Sequence, residues 1–217
     1  MSGIFHAESG LMRGMGRIAD LIILNLLTLL CCLPVATMGA ALAALLSSVR
    51  DMVNDVGGGT VRLYFRHFRQ DFRQATKLFL PLLPLFALVA LGGYLLLVQP
   101  GAQPPLALTA LYLLAAFFIA GTALMAFLLF VNFENTLAAT LLNAARLVVA
   151  RLPQVLLAVL LCYWAPLVFL LSPLVFLWLF IVLLLCGLSG PAFAVTLLFR
   201  PLMRRLAGPQ AKDGEES

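Results

Sequence analysis

The sequence predicts an all-α protein of about six membrane helices. Of its 217 residues, 63% are hydrophobic and only 11% are charged, and the charges are confined to a few short regions. A soluble domain carries roughly 25% charged residues, so this chain has too few to cover a water-facing surface. We expect a single integral membrane domain over residues 1–217, ending in a disordered cytoplasmic tail over residues 208–217.

The first uncharged run extends from Leu21 to Val49, and Pro34 lies near its middle. As one straight helix the run would measure about 44 Å, well beyond the roughly 30 Å of a hydrocarbon core. Proline removes a backbone donor and disfavours a helical conformation at Leu33. The run is therefore either one long kinked helix or a hairpin of two helices that turns between Pro34 and Gly39.

Four further uncharged runs are long enough to be membrane helices. They extend over Leu78–Val98, Leu106–Val131, Val155–Leu171 and Leu174–Phe199. The connectors between them are a loop at Gln99–Pro105, a polar segment over Asn132–Gln154 and a tight turn at Ser172-Pro173. The polar segment opens with NFENT, which we expect to cap a cytoplasmic helix.

The basic residues predict the topology. All 14 Lys and Arg residues lie before Leu21, between Arg50 and Lys77, between residues 132 and 154, or after Phe199. Because basic residues accumulate in cytoplasmic loops, all four regions face the cytoplasm only if the first run enters and returns. This rule favours the hairpin and places both termini inside. Each hairpin arm of about 14 residues then borrows flanking residues or re-enters partway.

The segment Val61–Lys77 reads VRLYFRHFRQDFRQATK and repeats arginine and phenylalanine at helical spacing. On a helix, one side carries Arg62, Arg66, Arg69, Arg73 and Lys77. A second stripe, about a quarter-turn away, carries Val61, Phe65, Phe68 and Phe72. The pattern predicts an amphipathic helix at the inner membrane interface, capped by Thr60, that contacts headgroup phosphates or docks a partner. We expect no nucleic acid partner, because that footprint needs a basic face on a soluble module.

Polar residues inside a membrane are functional candidates, and the uncharged runs contain no ionisable side chain except cysteine and tyrosine. The candidate polar or hinge site within the membrane consists of Asn25, Pro34, Thr37 and Gly39. We expect Asn25 to hydrogen-bond a neighbouring helix rather than a solute. No P-loop, Ser/His pair or C-x-x-C motif occurs. The sequence therefore predicts no enzyme activity, no cofactor and no metal site.

Two sequence blocks resemble the YesL family of small helical bacterial membrane proteins, whose biochemical function is undetermined. In NLLTLLCCLPVATMGAALAAL the resembling residues are Asn25, Leu33, Pro34, Thr37, Gly39 and Ala40. In YFRHFRQDFRQATKL they are Phe65, Phe68, Phe72, Gln74 and Ala75. Leu27-Thr28 and Asp71 depart from the family pattern, which often has an aromatic residue and an Asn there. The resemblance implies a multi-pass protein of the bacterial plasma membrane that accompanies carbohydrate transporters.

Three functional hypotheses follow. In the first, the chain is a non-enzymatic accessory protein that engages or regulates a carbohydrate uptake system of the ABC type through residues 61–77. Its partners would be the lipid bilayer and sugar transporter subunits or another membrane protein. In the second, it is a small-solute permease or channel, with Asn25 and the break at Pro34–Gly39 lining the path. In the third, its arginine stripe binds anionic lipids.

Overall fold

The computed structural model describes residues 3–54, 56, 58–98, 105–133, 136–171 and 184–213 of the chain. These residues form helices and turns, with no strand among them. The longer helices are α1 (Gly3–Cys31), α2 (Met38–Val53), α3 (Thr60–Gly93), α4 (Leu106–Asn132), α5 (Leu137–Ala150), α6 (Leu152–Leu171) and α7 (Ser189–Asp213). A 3₁₀ turn over Val35–Thr37 precedes α2, and a π-helical turn over Tyr94–Val98 follows α3.

The main candidates for membrane spans are α3 and α4. Within the described residues, Thr60–Leu96 and Leu106–Asn132 are each long and apolar enough to cross a membrane. α5 and α6 bend by 108° at their junction. Together they make a third span if the bent pair is counted as one broken helix. This is the make-up of a helical membrane protein. The described residues thus contain two or three candidate spans, and the predicted number of six is not confirmed. The predicted turn at Ser172-Pro173 lies outside the described residues.

The first uncharged run forms a hairpin rather than one kinked helix. α1 ends at Cys31, and the Thr37 hydroxyl closes the turn by donating to the carbonyl oxygens of Cys31 at 2.6 Å and Pro34 at 2.8 Å. α2 then returns to the level where α1 entered. Shortly after α2 ends, the Thr60 hydroxyl donates a 2.6 Å hydrogen bond to Oδ1 of Asp20 in α1. Neither hairpin helix meets the length and hydropathy of a full span.

Small residues let α2 approach α3 closely, as is usual between membrane helices. A Cβ at Gly39 would lie 2.5 Å from Cβ of Phe79 and 2.8 Å from the carbonyl oxygen of Ala75. The fully buried Tyr64 makes a long hydrogen bond of 3.5 Å to the carbonyl oxygen of Ala41. Most of α2 is buried, so it forms the centre of the core.

α3 is one helix of 34 residues that runs through Pro81 and Pro84. The predicted amphipathic segment 61–77 is therefore the first half of a membrane-crossing helix and not a separate interfacial element. Such a helix measures about 51 Å and extends well beyond a hydrocarbon core of roughly 30 Å. The expected cap at Thr60 is wrong: Gly59 occupies the N-cap position, and the Thr60 hydroxyl donates to Asp20 instead.

At the far end of α3, a tyrosine ties it to α4. The Tyr112 hydroxyl donates a 2.6 Å hydrogen bond to the carbonyl oxygen of Val89. A Cβ at Gly92 would lie 2.9 Å from the Tyr112 ring, and one at Gly93 would lie 2.7 Å from its hydroxyl oxygen. The two glycines therefore make room for the ring, and α3 and α4 run side by side down to the core.

The C-terminal helix is interrupted where the sequence carries a glycine. Residues 184–186 are helical and are followed by a break at Gly187 and Leu188, after which α7 runs to Asp213. Much of the predicted helix Leu174–Phe199 lies outside the described residues. The single domain and the disorder of residues 208–217 stay predictions.

Candidate functional site

Asn25 joins α1 to the break before α7. Its side chain is fully buried, and its Nδ2 donates to the carbonyl oxygen of Leu184 at 2.6 Å. Its Oδ1 accepts from the backbone N–H groups of Leu188 at 2.8 Å and Ser189 at 3.2 Å. A helix break frees backbone groups that are costly to leave unpaired in apolar surroundings. The Asn25 amide satisfies three of them.

The predicted bond between Asn25 and a neighbouring helix is thus confirmed. The other members of the predicted intramembrane site lie at the hairpin turn, where Thr37 closes the turn and Gly39 packs against α3. Asn25 makes its contacts with α7 instead. The four residues therefore belong to two separate packing arrangements.

A charged cluster that sequence reasoning missed joins α2, α3 and α4. Asp51 Oδ2 lies 2.8 Å from His67 Nε2, and Asp51 Oδ1 lies 3.6 Å from Nη2 of Arg50. Asp51 is 7% exposed and His67 is 9% exposed. Arg50 Nη1 also donates to the carbonyl oxygen of Val131, at the helix end where a cation is favoured by the helix dipole.

The cluster favours an ionised Asp51. Burial raises the pKa of this carboxyl group, but the hydrogen bond from His67 and the positive charges of His67, Arg50 and Arg66 outweigh it. The net effect lowers the pKa of Asp51 below its ordinary value of 3.8. In the sequence, His67 stood out only as a lone histidine within the arginine and phenylalanine repeat.

The first half of α3 has a buried face and a basic face on opposite sides. The buried face contains Tyr64, His67, Ala75 and Leu78. The basic face consists of Arg62, Arg66, Arg69, Arg73 and Lys77, all of them exposed. At 3.6 residues per turn, its centre lies about half a turn from Tyr64. The helix therefore presents its cations directly away from the hairpin.

The phenylalanines lie between these two faces. Phe65 and Phe72 are exposed, whereas Phe68 is half-buried and contacts the Phe72 ring at a centroid distance of 5.6 Å. The stripe that packs against the protein is thus centred on Tyr64 and His67, and of the three phenylalanines Phe68 also packs against the core. Contact of Phe65 and Phe72 with lipid stays a prediction.

Metal-ligating side chains are scattered over the described part of the chain. No three of its His, Cys, Asp and Glu residues come together in a group that could hold a metal ion. The four cysteines are free thiols in half-buried positions. At the start of α5, the Thr136 hydroxyl accepts a 3.4 Å bond from the Ala139 N–H, so the expected cap is confirmed.

The fold and these contacts define a helical membrane protein with a tightly packed hairpin at its charged end. Residues 21–93, about a third of the chain, match a family described as a protein of unknown function, DUF624. The match includes Asn25, the Asp51–His67 pair and the basic face. No curated protein and no solved structure matches the chain. The first third thus resembles an uncharacterised family.

Replacing Asn25 by alanine should destabilise the protein. The change leaves two buried N–H groups and one carbonyl without a partner, and each such group costs roughly 1–3 kcal/mol. We expect a loss of about 2 kcal/mol in the free energy of unfolding, near the upper end for bonds between membrane helices. Titration with denaturing detergent in mixed micelles measures this value.

The matched control is Thr109→Ala, which removes an exposed hydroxyl with a weak 3.4 Å bond to Pro105. It should change the free energy of unfolding by less than about 0.5 kcal/mol. An Asn25→Ala protein as stable as this control would contradict the role given to the amide.

The Asp51 carboxylate should make stability depend on acid pH. Its pKa is lower in the folded protein than the ordinary 3.8, so the unfolded chain binds the proton first as the pH falls. The stabilisation is therefore complete above the unfolded pKa and is lost as the pH falls through the folded one. Unfolding midpoints measured from neutral pH down to about 3 should decline more steeply in wild type than in Asp51→Asn. An equally steep decline of the unfolding midpoint with falling pH in both proteins would refute the stabilising role given to Asp51.

Proposed function

We propose that the chain is a non-enzymatic accessory membrane protein that binds an acidic surface of a partner protein through the basic face of α3. The observation that carries this proposal is the placement of five exposed cations on the side of α3 opposite the hairpin. The helix is held at both ends of its packed half, by Gly39 near Phe79 and by Asp51 at His67. A rigid, charged face of this kind suits specific docking.

Depth along α3 favours a protein partner over lipid headgroups. Arg62 precedes the apolar run at Leu78 by 16 residues, about 24 Å along a helix. The headgroup layer on each side of a bilayer is only about 5–7 Å thick. Even a tilt of about 40° leaves Arg62 about 18 Å from the hydrocarbon. Lys77 is within reach of headgroup phosphates, but Arg62 and Arg66 project beyond them.

The resemblance to the YesL family directs the search for this partner. It supports subunits of a carbohydrate uptake system of the ABC type, in the bacterial plasma membrane, with both termini of our chain in the cytoplasm. Acidic surfaces on such subunits would complement the basic face. The matched family is described only as one of unknown function, so it names no activity and no partner.

The permease hypothesis receives less support from the contacts. Asn25 and the break near Gly39 were its two candidate features. The Asn25 amide is fully buried and bonded to backbone groups of the α7 segment, and Gly39 is closed off by Phe79. Both features are therefore used for packing.

We infer further that the hairpin, including its tip, lies towards one side of the membrane. The residue near its tip, Gly39, contacts α3 at Ala75 and Phe79, where the apolar run of α3 only begins. From Leu80 to Gly93, α3 continues for about 20 Å beyond the hairpin, and the π-helical turn Tyr94–Val98 extends it further. The tip therefore stops far short of the opposite surface.

The side on which the hairpin tip lies can be tested by labelling a cysteine at Leu33, which is 76% exposed. In a background with the four native cysteines replaced by alanine, Leu33→Cys should not react with an impermeant maleimide from the extracytoplasmic side. Gln70→Cys, exposed on α3, serves as the reference for the cytoplasmic side. Gln103→Cys serves as the reference for the extracytoplasmic side. Labelling of Leu33→Cys together with Gln103→Cys would show a complete crossing instead.

Partner docking can be tested by photo-crosslinking from Phe65, an exposed position beside the basic face. We expect a cross-link to an acidic segment of a transporter subunit, weakened at least tenfold when Arg62, Arg66, Arg69 and Arg73 are changed to Gln. The control is Arg146→Gln with Arg151→Gln, which removes cations from outside the basic face. Binding of the purified subunit should also fall with rising salt.

Three outcomes of this experiment count against docking. One is the recovery of no transporter subunit or other stable partner from native membranes by the wild-type protein. Another is a cross-link that survives the fourfold change. The third is binding only to anionic vesicles, lost in the fourfold variant, which would assign the basic face to lipid.

A further inference from the structure

A polar cleft of about 730 Å³ opens between α2, α3 and the end of α4. Sites for small molecules measure about 300–1,000 Å³. The polar side chains that line it include Arg50, His67, Gln70, Asp71, Gln74 and Asn132. Phe130 and Phe133 add two aromatic rings. The size thus lies within the range of small-molecule sites, and the lining is mainly polar.

Several polar groups of the cleft have hydrogen-bonding capacity left over. The Asn132 amide donates through Nδ2 to the carbonyl oxygen of Leu128 at 2.7 Å, which leaves its Oδ1 available. Gln70, Asp71 and Gln74 make no hydrogen bond or ion pair within the described residues. Asp71 is half-buried, and a carboxylate in that position is stabilised when donors reach it. A ligand with several donors would satisfy these groups.

Among the described residues, the cleft combines positive and negative charges. Arg50 is shared between Asp51 and the carbonyl oxygen of Val131 near the end of α4, and its charge also attracts the Asp71 carboxylate. A lining of this kind offers little electrostatic attraction to offset the cost of removing water from a strongly charged ligand. Amide and carboxylate groups instead suit hydroxyl groups, because each hydroxyl both donates and accepts.

We propose that this cleft binds a small neutral polyhydroxylated molecule. Its hydroxyl groups donate to Asp71 and to Oδ1 of Asn132, and they accept from the amides of Gln70 and Gln74. A ring or carbon chain of the ligand lies against the Phe130 or Phe133 side chain. The site uses a different side of α3 from the basic face, so it is independent of partner docking.

The test uses the purified full-length chain in lipid nanodiscs and isothermal titration. The probes are glucose, sorbitol and sucrose, compared with glycine betaine, spermidine and citrate as zwitterion, cation and anion. We expect saturable binding of at least one polyhydroxylated probe. Asp71→Asn and Gln74→Ala should each weaken that binding at least tenfold, while Arg73→Gln on the basic face should not change it.

Thermal unfolding midpoints verify that each variant is folded, and the exposed Gln74 provides a test even if Asp71→Asn is unstable. The proposal fails if no polyhydroxylated probe binds the folded wild-type protein, or if only a charged probe binds. It also fails if the Gln74→Ala protein binds as tightly as wild type. Because no partner is present, these outcomes are separate from those of the cross-linking experiment.

Discussion

The contact between α2 and α3 determines where every candidate functional surface lies. At one end, Gly39 allows the two backbones to meet at Ala75 and Phe79. At the other end, Asp51 pairs with the nearly buried His67. With both ends held, the rotation of α3 about its axis is set. The same rotation turns the arginines away from the hairpin and places Gln70, Asp71 and Gln74 along the cleft.

The second constraint is that buried backbone N–H and C=O groups need hydrogen-bond partners, and two polar side chains provide them. Membrane helices pair their own backbone groups, so each interruption needs a partner from elsewhere. Thr37 provides one at the hairpin turn, and Asn25 provides one at the break before α7. These hydrogen bonds explain why polar residues occur inside a 29-residue run without charge. The alternative explanation was that the polar residues line a solute path. In this chain, polar side chains within the apolar run stabilise irregular backbone.

The sequence predicted the helical class, the hairpin turn, the exposed arginines and the bond of Asn25, because each depends on local pattern or on hydropathy. It did not predict which face of α3 is buried. Helical periodicity shows that stripes exist, but Phe68 and Tyr64 are equally apolar candidates until a neighbour is placed. The Asp51–His67 pair was missed for the same reason, since it depends on the register of α2 against α3. The continuity of α3 was also missed, because the arginines suggested a separate interfacial helix.

The distribution of burial separates the molecule into two parts. Beyond Phe79, α3 exposes apolar side chains such as Leu88 and Leu91, and the first half of α4 does the same at Leu106 and Leu111. Such surfaces suit lipid, which requires no specific contact. The buried core, the charged cluster, the cleft and the basic face all lie at the other end, which the distribution of basic residues predicts to face the cytoplasm. Under the two proposals above, the span serves mainly as an anchor, and specific recognition belongs to the end where α2 packs against α3.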